Sequence, residues 1–368
     1  MNFLSKFSGK SVVITGHTGF KGSWLTTWLN LLGAKITGIA LDPIPGYSHF
    51  NSAALANLIS DNRVDIRNRE NLQSIIHSVQ PDFVFHLAAQ SLVKTAYDDP
   101  IQTWETNVLG TINVLESLRI LKKSCSAVII TSDKCYENVE WCWGYREIDP
   151  LGGSDPYSAS KAAAELAISS YIKSYFPKNT SKVRISSARA GNVIGGGDWS
   201  SNRIIPDCIK SWSINQPVEL RNPHSTRPWQ HVLEPLSGYL TLAIALSQNE
   251  TLHGEPFNFG PRSAMNYSVL DLVREMSLYW NQVSWIDNVI GHEKQYESGL
   301  LKLSCDKALL KLNWHATMGF KDTVRMTAEW YKSFYNSPFD SNKTLKSTID
   351  QISEYMVLAK NNGANWAL

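Results

Sequence analysis

The chain has 368 residues, with 35 Lys and Arg residues against 33 Asp and Glu residues and a formal net charge of +2. This near balance excludes a surface built to coat a polyanion, and 43% hydrophobic residues exclude a wholly disordered chain. Since a typical domain has roughly 150 residues, the length is sufficient for one large fold and a second lobe.

The chain contains five cysteines, and no two of them are separated by two residues. An odd number with this spacing disfavours a disulfide framework or a zinc site. No apolar run approaches the roughly 20 residues that a membrane-spanning helix needs, and the first ten residues show no export signal. We therefore predict no metal site, no membrane contact and a cytoplasmic location.

Short apolar runs alternate with helical patterns along the first half of the chain. The runs predicted as strands cover residues 11–15, 35–41, 63–66, 83–87, 127–131 and 182–190, and the helical patterns cover 20–32, 68–79, 103–121 and 156–175. This alternation predicts an α/β fold in which helices cover both faces of a doubly wound parallel Rossmann sheet.

Three glycines, Gly16, Gly19 and Gly22, follow the first predicted strand and open the first helix. A pyrophosphate needs bare backbone N–H groups at a helix start, and residues without Cβ permit its close approach. Asp42 closes the second strand, where a carboxylate binds both hydroxyls of a ribose. Because Asp42 would repel a 2′-phosphate and no Arg or Lys follows it closely, the motif predicts NAD rather than NADP. An ordinary tight turn is the alternative.

The fourth predicted strand ends in the small residues of Leu87-Ala88-Ala89-Gln90, which would let a cofactor lie against the sheet edge. Plain core packing is the alternative for this segment. The predicted cofactor-binding residues are Gly16, Thr18, Gly19, Phe20, Gly22, Asp42, Asp65, Ile66, Leu87, Ala88, Ala89, Asn107, Tyr157 and Lys161.

After residue 190 the alternation breaks into loops rich in Gly and Trp, and residues 256–260 predict one more strand. We predict an NAD-binding Rossmann domain of residues 1–190 with a returning strand near 230–262. Residues 191–229 and 263–335 are predicted to form a smaller C-terminal substrate-binding lobe. Residues 336–368 are predicted to be a C-terminal helix and tail, of which 361–368 are frayed.

Tyr157 is the only tyrosine with a lysine four positions later, Lys161, so both side chains lie on one face of the predicted helix. A nearby ammonium stabilises a phenolate and lowers the pKa of the phenol from about 10 toward neutrality. A phenol of this kind is the base that oxidation of an alcohol to a ketone needs. Ser132, directly after the fifth strand, is the predicted hydroxyl partner. A surface Tyr and Lys on an amphipathic helix is the alternative.

Over roughly residues 10–330 these motifs resemble the extended short-chain dehydrogenase/reductase family. Ser132-Asp133-Lys134 lies where the sugar-nucleotide 4,6-dehydratases of that family carry a hydroxyl residue, an acid and a base. The dehydratases that act on dTDP-glucose have Asp-Glu after the hydroxyl, whereas this chain has Asp133-Lys134. With the glycine turn, that departure makes the chain similar to the dehydratases that act on CDP-glucose.

The resemblance implies oxidation at C4, loss of water across C5 and C6, and return of the hydride to C6, as in the synthesis of deoxysugars and O-antigen. Asp133 would be the acid at the C6 hydroxyl, which needs a raised pKa, and Lys134 would be the base at C5. The alternatives are a solvated turn at Asp133 and Lys134, a nucleotide-sugar 4-epimerase, and a catalytically silent NAD-binding sensor.

A diphosphate needs cations, and the second half of the chain offers several arginines, Arg189 among them. The resemblance and these arginines give the predicted substrate-binding residues Gln90, Asn192, Arg203, Arg221, Arg227, His292 and Tyr296. The family resemblance also relates the two long predicted helices, 103–121 and 156–175, to a four-helix dimer interface, which implies a homodimer or a tetramer of dimers. The 13 tryptophans have no basic stripe beside them, so no nucleic acid partner is predicted.

Overall fold

The computed structural model describes residues 3–178, 180–262, 265–281, 283–287 and 300–367. Its strands, in chain order, are β1 (Ser11–Thr15), β2 (Lys35–Ala40), β3 (Ser60–Arg63), β4 (Phe83–His86), β5 (Cys125–Ile130), β6 (Val183–Ala190), β7 (Val193–Ile194), β8 (Val218–Leu220), β9 (Thr226–Arg227), β10 (Gln230–His231), β11 (Phe257–Phe259), β12 (Tyr267–Ser268) and β13 (Trp285–Asp287).

The helices follow the same order along the chain. They are α1 (Phe20–Leu31), α2 (His49–Ser52), α3 (Arg69–Val79), α4 (Val93–Asp98), α5 (Pro100–Trp104), α6 (Gly110–Arg119), α7 (Pro156–Tyr175), α8 (Ile204–Ser213), α9 (Leu233–Gln248), α10 (Val269–Ser277), α11 (Asp306–Leu312), α12 (Phe320–Asn336) and α13 (Ser341–Asn361). None of these helices is long and apolar enough to cross a membrane, within the part of the chain that the structure describes.

Seven strands form one sheet in the order β11-β6-β5-β4-β1-β2-β3, and every neighbouring pair is parallel. The predicted doubly wound Rossmann sheet is therefore confirmed. The strand order reverses direction between β1 and β4, because β2 and β3 lie on one side of β1 while the later strands lie on the other. In such sheets, ligands bind beyond the carboxyl ends of the strands at this reversal.

The sheet is covered on both faces because successive side chains of a strand point to opposite sides. On β1, Val12 and Ile14 belong to the core that includes α1, α9 and α12. Val13, between them, belongs to a second core with residues of α3, α6 and α7. Continuous apolar runs such as β1 thus bury both of their faces.

Three sequence predictions differ from the structure. The third strand is Ser60–Arg63 rather than 63–66, since it is an edge strand that pairs with β2 alone and needs no apolar run. The predicted helix 103–121 is α5, a π-helical turn at Glu105–Leu109 and α6. The predicted frayed tail is wrong, because Trp366 is buried and stacks on Tyr355.

Beyond the sheet, the described part of the chain forms three short strand pairs, whose strands other than β10 fall in the segments predicted as the substrate-binding lobe. These pairs are β7 with β10, β8 with β13, and β9 with β12. The chain returns to the sheet through α9 and β11, which pairs with β6 as the sequence predicts. The loops of this lobe face the carboxyl ends of the sheet across the cavity described next.

Candidate active site

A cavity of about 2060 Å³ lies over the carboxyl ends of the central strands. The predicted site residues that line it are Gly16, Thr18, Gly19, Phe20, Gly22, Asp65, Ile66, Leu87, Ala88, Ala89, Gln90, Ser132, Asp133, Lys134, Tyr157, Lys161, Asn192, Arg203, Arg221 and Arg227. Asp42 and Asn107 do not line it. His292 and Tyr296 lie outside the described residues.

The glycine turn packs too closely for side chains at two of its positions. Gly16 has φ +74°, and a Cβ there would lie 2.7 Å from the backbone nitrogen of Ala88. A Cβ on Gly22 would lie 2.1 Å from the carbonyl oxygen of Gly16. Gly19 precedes α1, whose start has no side-chain cap and no acidic residue in its first turn. These features fit the pyrophosphate of a dinucleotide, because a helix N-terminus offers N–H donors and a positive dipole end.

The carboxylate expected at the ribose, Asp42, has a side chain that is 88% exposed. No Arg or Lys follows Asp42 closely in the sequence, but the fold brings a distant one near it, since Arg63 Nε is 3.7 Å from Asp42 Oδ1. The guanidinium of Arg63 also donates to Asp61 and to the carbonyl oxygen of Leu41. Arg63 ends β3, and most of the connection between β2 and β3 separates it from Asp42 in the sequence. A search for basic residues close to Asp42 along the chain therefore does not find it.

Asn107 does not line the cavity, but it forms hydrogen bonds with Gln90, which does. It is buried, and its amide accepts from the backbone N–H of Gln90 at 2.9 Å and donates to the carbonyl oxygen of Gln90 at 3.0 Å. The same amide donates to Ser160 Oγ at 2.8 Å, and Ser160 donates to the carbonyl oxygen of Tyr157. Direct contact of Asn107 with a cofactor stays a prediction.

Tyr157 and Lys161 project into the cavity from the first turns of α7. The helix begins where Asp155 Oδ1 accepts from the backbone N–H of Ser158 and Pro156 occupies the first turn. Burial raises the pKa of Tyr157 to about 12, while its hydrogen bond with Ser132 lowers it. Burial thus outweighs the groups that lower the pKa of the phenol, and its acidification by Lys161 stays a prediction. Burial also lowers the pKa of Lys161 to about 8, and Lys161 Nζ lies 3.5 Å from the carbonyl oxygen of Ile130.

Ser132, Asp133 and Lys134 form a tight turn directly after β5. Ser132 Oγ donates to Asp133 Oδ1 at 3.0 Å and accepts from the backbone N–H of Lys134 at 3.2 Å. Asp133 is 4% exposed, and this burial raises the pKa of its carboxyl group against the opposing charge of Lys134. A raised pKa is what the predicted acid requires.

Arginine side chains from the segments that follow β6 line the cavity. Arg203 forms an ion pair with Asp198 at 2.8 Å, and Arg203, Arg221 and Arg227 all line the cavity. Arg189 does not line it and is not available for a diphosphate. It lies in β6, where its buried guanidinium is paired with Glu165 at 2.8 Å.

Sequence reasoning missed one cation inside the glycine motif. Lys21, between Phe20 and Gly22, lines the cavity, and burial lowers its pKa to about 8. The charges that act on Lys21 include those of Arg203, Asp133 and Lys161, so it lies near the turn that contains Asp133. A lysine in the first turn of a helix, where the dipole disfavours it, is the signal that would have identified Lys21.

Comparison with known proteins agrees with this geometry. The profile of the family described as GDP-mannose 4,6 dehydratase matches residues 13–327. The CDP-glucose 4,6-dehydratase of Salmonella typhimurium is 44% identical over 354 residues, which are 95% of this chain and 97% of that protein. The resemblance to the sugar-nucleotide 4,6-dehydratases is therefore confirmed.

Solved structures at lower identity show the same fold. The dTDP-glucose 4,6-dehydratase of Streptomyces venezuelae, solved with NAD, superposes with a TM-score of 0.73 at 20% identity, covering 90% of this chain and all of that one. An epimerase of Methanothermobacter thermautotrophicus gives 0.76 at 22% identity, covering 91% of this chain and 96% of that one. Since the family profile matches more than half of the chain, this chain belongs to the GDP-mannose 4,6-dehydratase family.

Proposed function

We propose that the chain is an NAD-dependent lyase that converts CDP-D-glucose to CDP-4-dehydro-6-deoxy-D-glucose. One observation carries the proposal: the cavity brings the turn with Asp133 and Lys134 together with Tyr157 and Lys161. Oxidation of an alcohol needs only the second pair, whereas elimination of water needs an additional acid and base. The 44% identical dehydratase of Salmonella typhimurium supports CDP-glucose as the substrate.

The residues present fit the cofactor. The start of α1 would hold the pyrophosphate over the bare backbone of Gly16 and Gly19, and Asp42 would bind the ribose hydroxyls. NAD, when bound, supplies the hydride acceptor for C4, the hydride donor for C6 and a positive charge beside the phenol. Arg203, Arg221 and Arg227 would hold the substrate diphosphate at the other end of the cavity.

Different side chains would carry out the proton transfers of the oxidation and those of the elimination. Tyr157 would take the proton of the C4 hydroxyl while Ser132 holds that hydroxyl in place. Because burial raises the pKa of Tyr157 to about 12, the proton transfer needs positive charge nearby. The charge of Arg203 lowers the pKa of the phenol, and Lys161, one helical turn away on α7, would add to this effect. Asp133 would then protonate the departing C6 hydroxyl while Lys134 removes the C5 proton.

Incubation of the chain with NAD and CDP-glucose, dTDP-glucose or GDP-glucose tests the proposal. We expect a product lighter by one water from CDP-glucose, because Asp133 and Lys134 eliminate water after the oxidation. A product of unchanged mass would indicate a 4-epimerase, and no product from any sugar nucleotide would favour the silent NAD-binding sensor.

A matched pair of variants assigns the activity to the cavity. Tyr157→Phe should lose turnover by about 1000-fold while calorimetry still detects NAD binding. Tyr175→Phe, on the exposed end of the same helix, should keep full activity. If Tyr157→Phe turned over CDP-glucose normally, the assigned role of Tyr157 would be wrong.

We also propose that the chain assembles into a homodimer, or a tetramer of dimers, through α7 and the segment that comprises α5, the π-helical turn and α6. Ile101 is 72% exposed, Leu109 53% and Leu166 61%, and Trp104 is exposed beside them. Apolar side chains of this size at one side of the sheet are typical of an interface. We further propose a cytoplasmic location, which the five unpaired cysteines support, and a role in deoxysugar and O-antigen synthesis.

A further inference from the structure

A buried carboxylate lies one helical turn beyond Lys161. Glu165 is 4% exposed and accepts three charge-assisted hydrogen bonds. Thr131 Oγ1 donates to its Oε1 at 2.5 Å, while Ser187 Oγ and the Nη2 of Arg189 donate to its Oε2, both at 2.8 Å. The carboxylate of Glu165 therefore connects α7 to β6 and to Thr131, the residue that precedes Ser132.

Arg189, the ion-pair partner of Glu165, contacts the other end of the turn formed by residues 132–134. The Nη1 of Arg189 donates to the phenol oxygen of Tyr136 at 2.8 Å and to the carbonyl oxygen of Glu147 at 3.2 Å. The guanidinium also lies 4.9 Å from the centre of the Tyr136 ring. Tyr136 donates in turn to Asn258 Oδ1 at 2.8 Å, which anchors this contact to β11.

The ion pair thus holds the catalytic turn at both of its ends. Thr131 lies directly before the turn and Tyr136 directly after it, while residues 132–135 between them carry the candidate acid and base. Glu165 itself belongs to α7, the helix of Tyr157 and Lys161. In the interior, charge-assisted hydrogen bonds of this kind are short and directional, so they define the distance between the elements that they join.

We propose that Glu165 and Arg189 are positioning residues, which hold the turn of Asp133 and Lys134 in register with Tyr157 and Lys161. This inference rests on the proposed function. The oxidation needs only Tyr157, Lys161 and Ser132. The elimination also needs Asp133 and Lys134 to lie beside C5 and C6 of the same sugar. A loosened turn should therefore slow elimination more than oxidation, since misplacement of a reacting group by about 1 Å costs about 100-fold in rate.

Three single variants that each remove one hydroxyl test the proposal. Removing the carboxylate itself would leave Arg189 buried without its partner and endanger folding. Thr131→Val removes the hydrogen bond at the start of the turn, and Tyr136→Phe removes the one at its end. Ser187→Ala is the matched control, because it also removes one buried hydrogen bond to Glu165 but belongs to β6 and does not flank the turn.

Single-turnover measurements with CDP-glucose separate the two steps. The rise of reduced nicotinamide absorbance reports the oxidation, and solvent deuterium incorporation at C5 reports the elimination. We expect Thr131→Val and Tyr136→Phe to lower the ratio of elimination rate to oxidation rate by about tenfold, so that reduced cofactor accumulates on the protein. Ser187→Ala should leave this ratio at the wild-type value.

Amide hydrogen exchange without substrate gives a second readout. Residues 132–136 should exchange faster in Thr131→Val and Tyr136→Phe than in Ser187→Ala. An unchanged rate ratio in both turn variants would overturn the positioning role, as would an equal fall of the ratio in Ser187→Ala. Failure of the proposed function is distinguishable, because the wild-type chain itself would then release no dehydrated sugar.

Discussion

At the scale of single residues, burial controls the protonation of the groups that meet in the cavity. It raises the pKa of the Asp133 carboxyl group, so this group can hold a proton that an exposed aspartate would lose. It raises the pKa of Tyr157 to about 12 and lowers that of Lys161 to about 8. A carboxyl group and a phenol whose pKa values are both raised by burial fit a site in which protons move when the substrate is present.

The lowered pKa of Lys161 predicts how turnover depends on pH. The ammonium form is the one that stabilises a phenolate, and Lys161 loses its charge as pH rises through about 8. Tyr157 takes the proton as a phenolate, and its pKa is about 12. Turnover should therefore rise by up to about tenfold per pH unit below pH 8 and level off above it, where the loss of the Lys161 charge offsets further ionisation of the phenol. Lys161→Arg keeps its charge over this range, so any residual activity of that variant should continue to rise above pH 8. A wild-type profile that continues to rise to pH 10 would contradict the role of Lys161.

At the scale of elements, the first β-α unit joins the sheet to the cofactor site. Gly16 and Gly22 are needed by the fold itself, because a side chain at either position would overlap backbone atoms. Gly19 differs from them, since it has φ −77° and its Cβ would meet only the carbonyl oxygen of Gly16 at 3.4 Å. The absence of a side chain at Gly19 therefore affects ligand binding at the start of α1 rather than the folding of the turn.

Two alanine variants separate these requirements. Gly22→Ala should lower the free energy of unfolding by about 3 kcal/mol, because the helix must shift away from the turn. Gly19→Ala should change the free energy of unfolding by less than about 1 kcal/mol and weaken NAD binding by tenfold or more. Urea unfolding and calorimetric titration with NAD measure the two quantities. Normal NAD affinity in Gly19→Ala would contradict the placement of the pyrophosphate.

At the scale of the whole molecule, one face of the sheet lies under helices that carry some exposed apolar side chains. The core beneath α6 and α7 contains residues such as Leu115 and Ile168, while Leu166 on the outside of α7 is 61% exposed. A helix with apolar side chains on both sides needs a covering partner. A second copy of the chain would bury this surface against its own α5 and α7.

Leu166→Glu tests this assembly. A buried, unpaired carboxylate on each copy should dissociate the proposed dimer into monomers in analytical ultracentrifugation at micromolar concentration. The control is Leu310→Glu, which changes a leucine on α11 that is 80% exposed and lies outside the proposed interface. A wild-type chain that sediments as a monomer would contradict the proposal, as would a Leu166→Glu variant with unchanged mass.

Sequence reasoning succeeded where a signal is local. The alternation of apolar runs and helices indicates the sheet, and the spacing of Gly16, Gly19 and Gly22 and of Tyr157 and Lys161 places these residues on the cavity. It failed where the partner is distant along the chain. Arg63 beside Asp42 and Arg189 beside Glu165 are joined only by the packing of separate strands and helices.

The sequence by itself determined the fold class, the glycine turn and the spacing of the candidate reacting side chains, because those depend on periodicity and on short distances along one element. Only the tertiary structure decided their protonation and their mutual positions. The pKa of Tyr157 depends on how many atoms surround the phenol, and the turn of Asp133 and Lys134 is held by side chains from three other elements. Burial and contacts between distant segments are properties of packing, which no local pattern of residues contains.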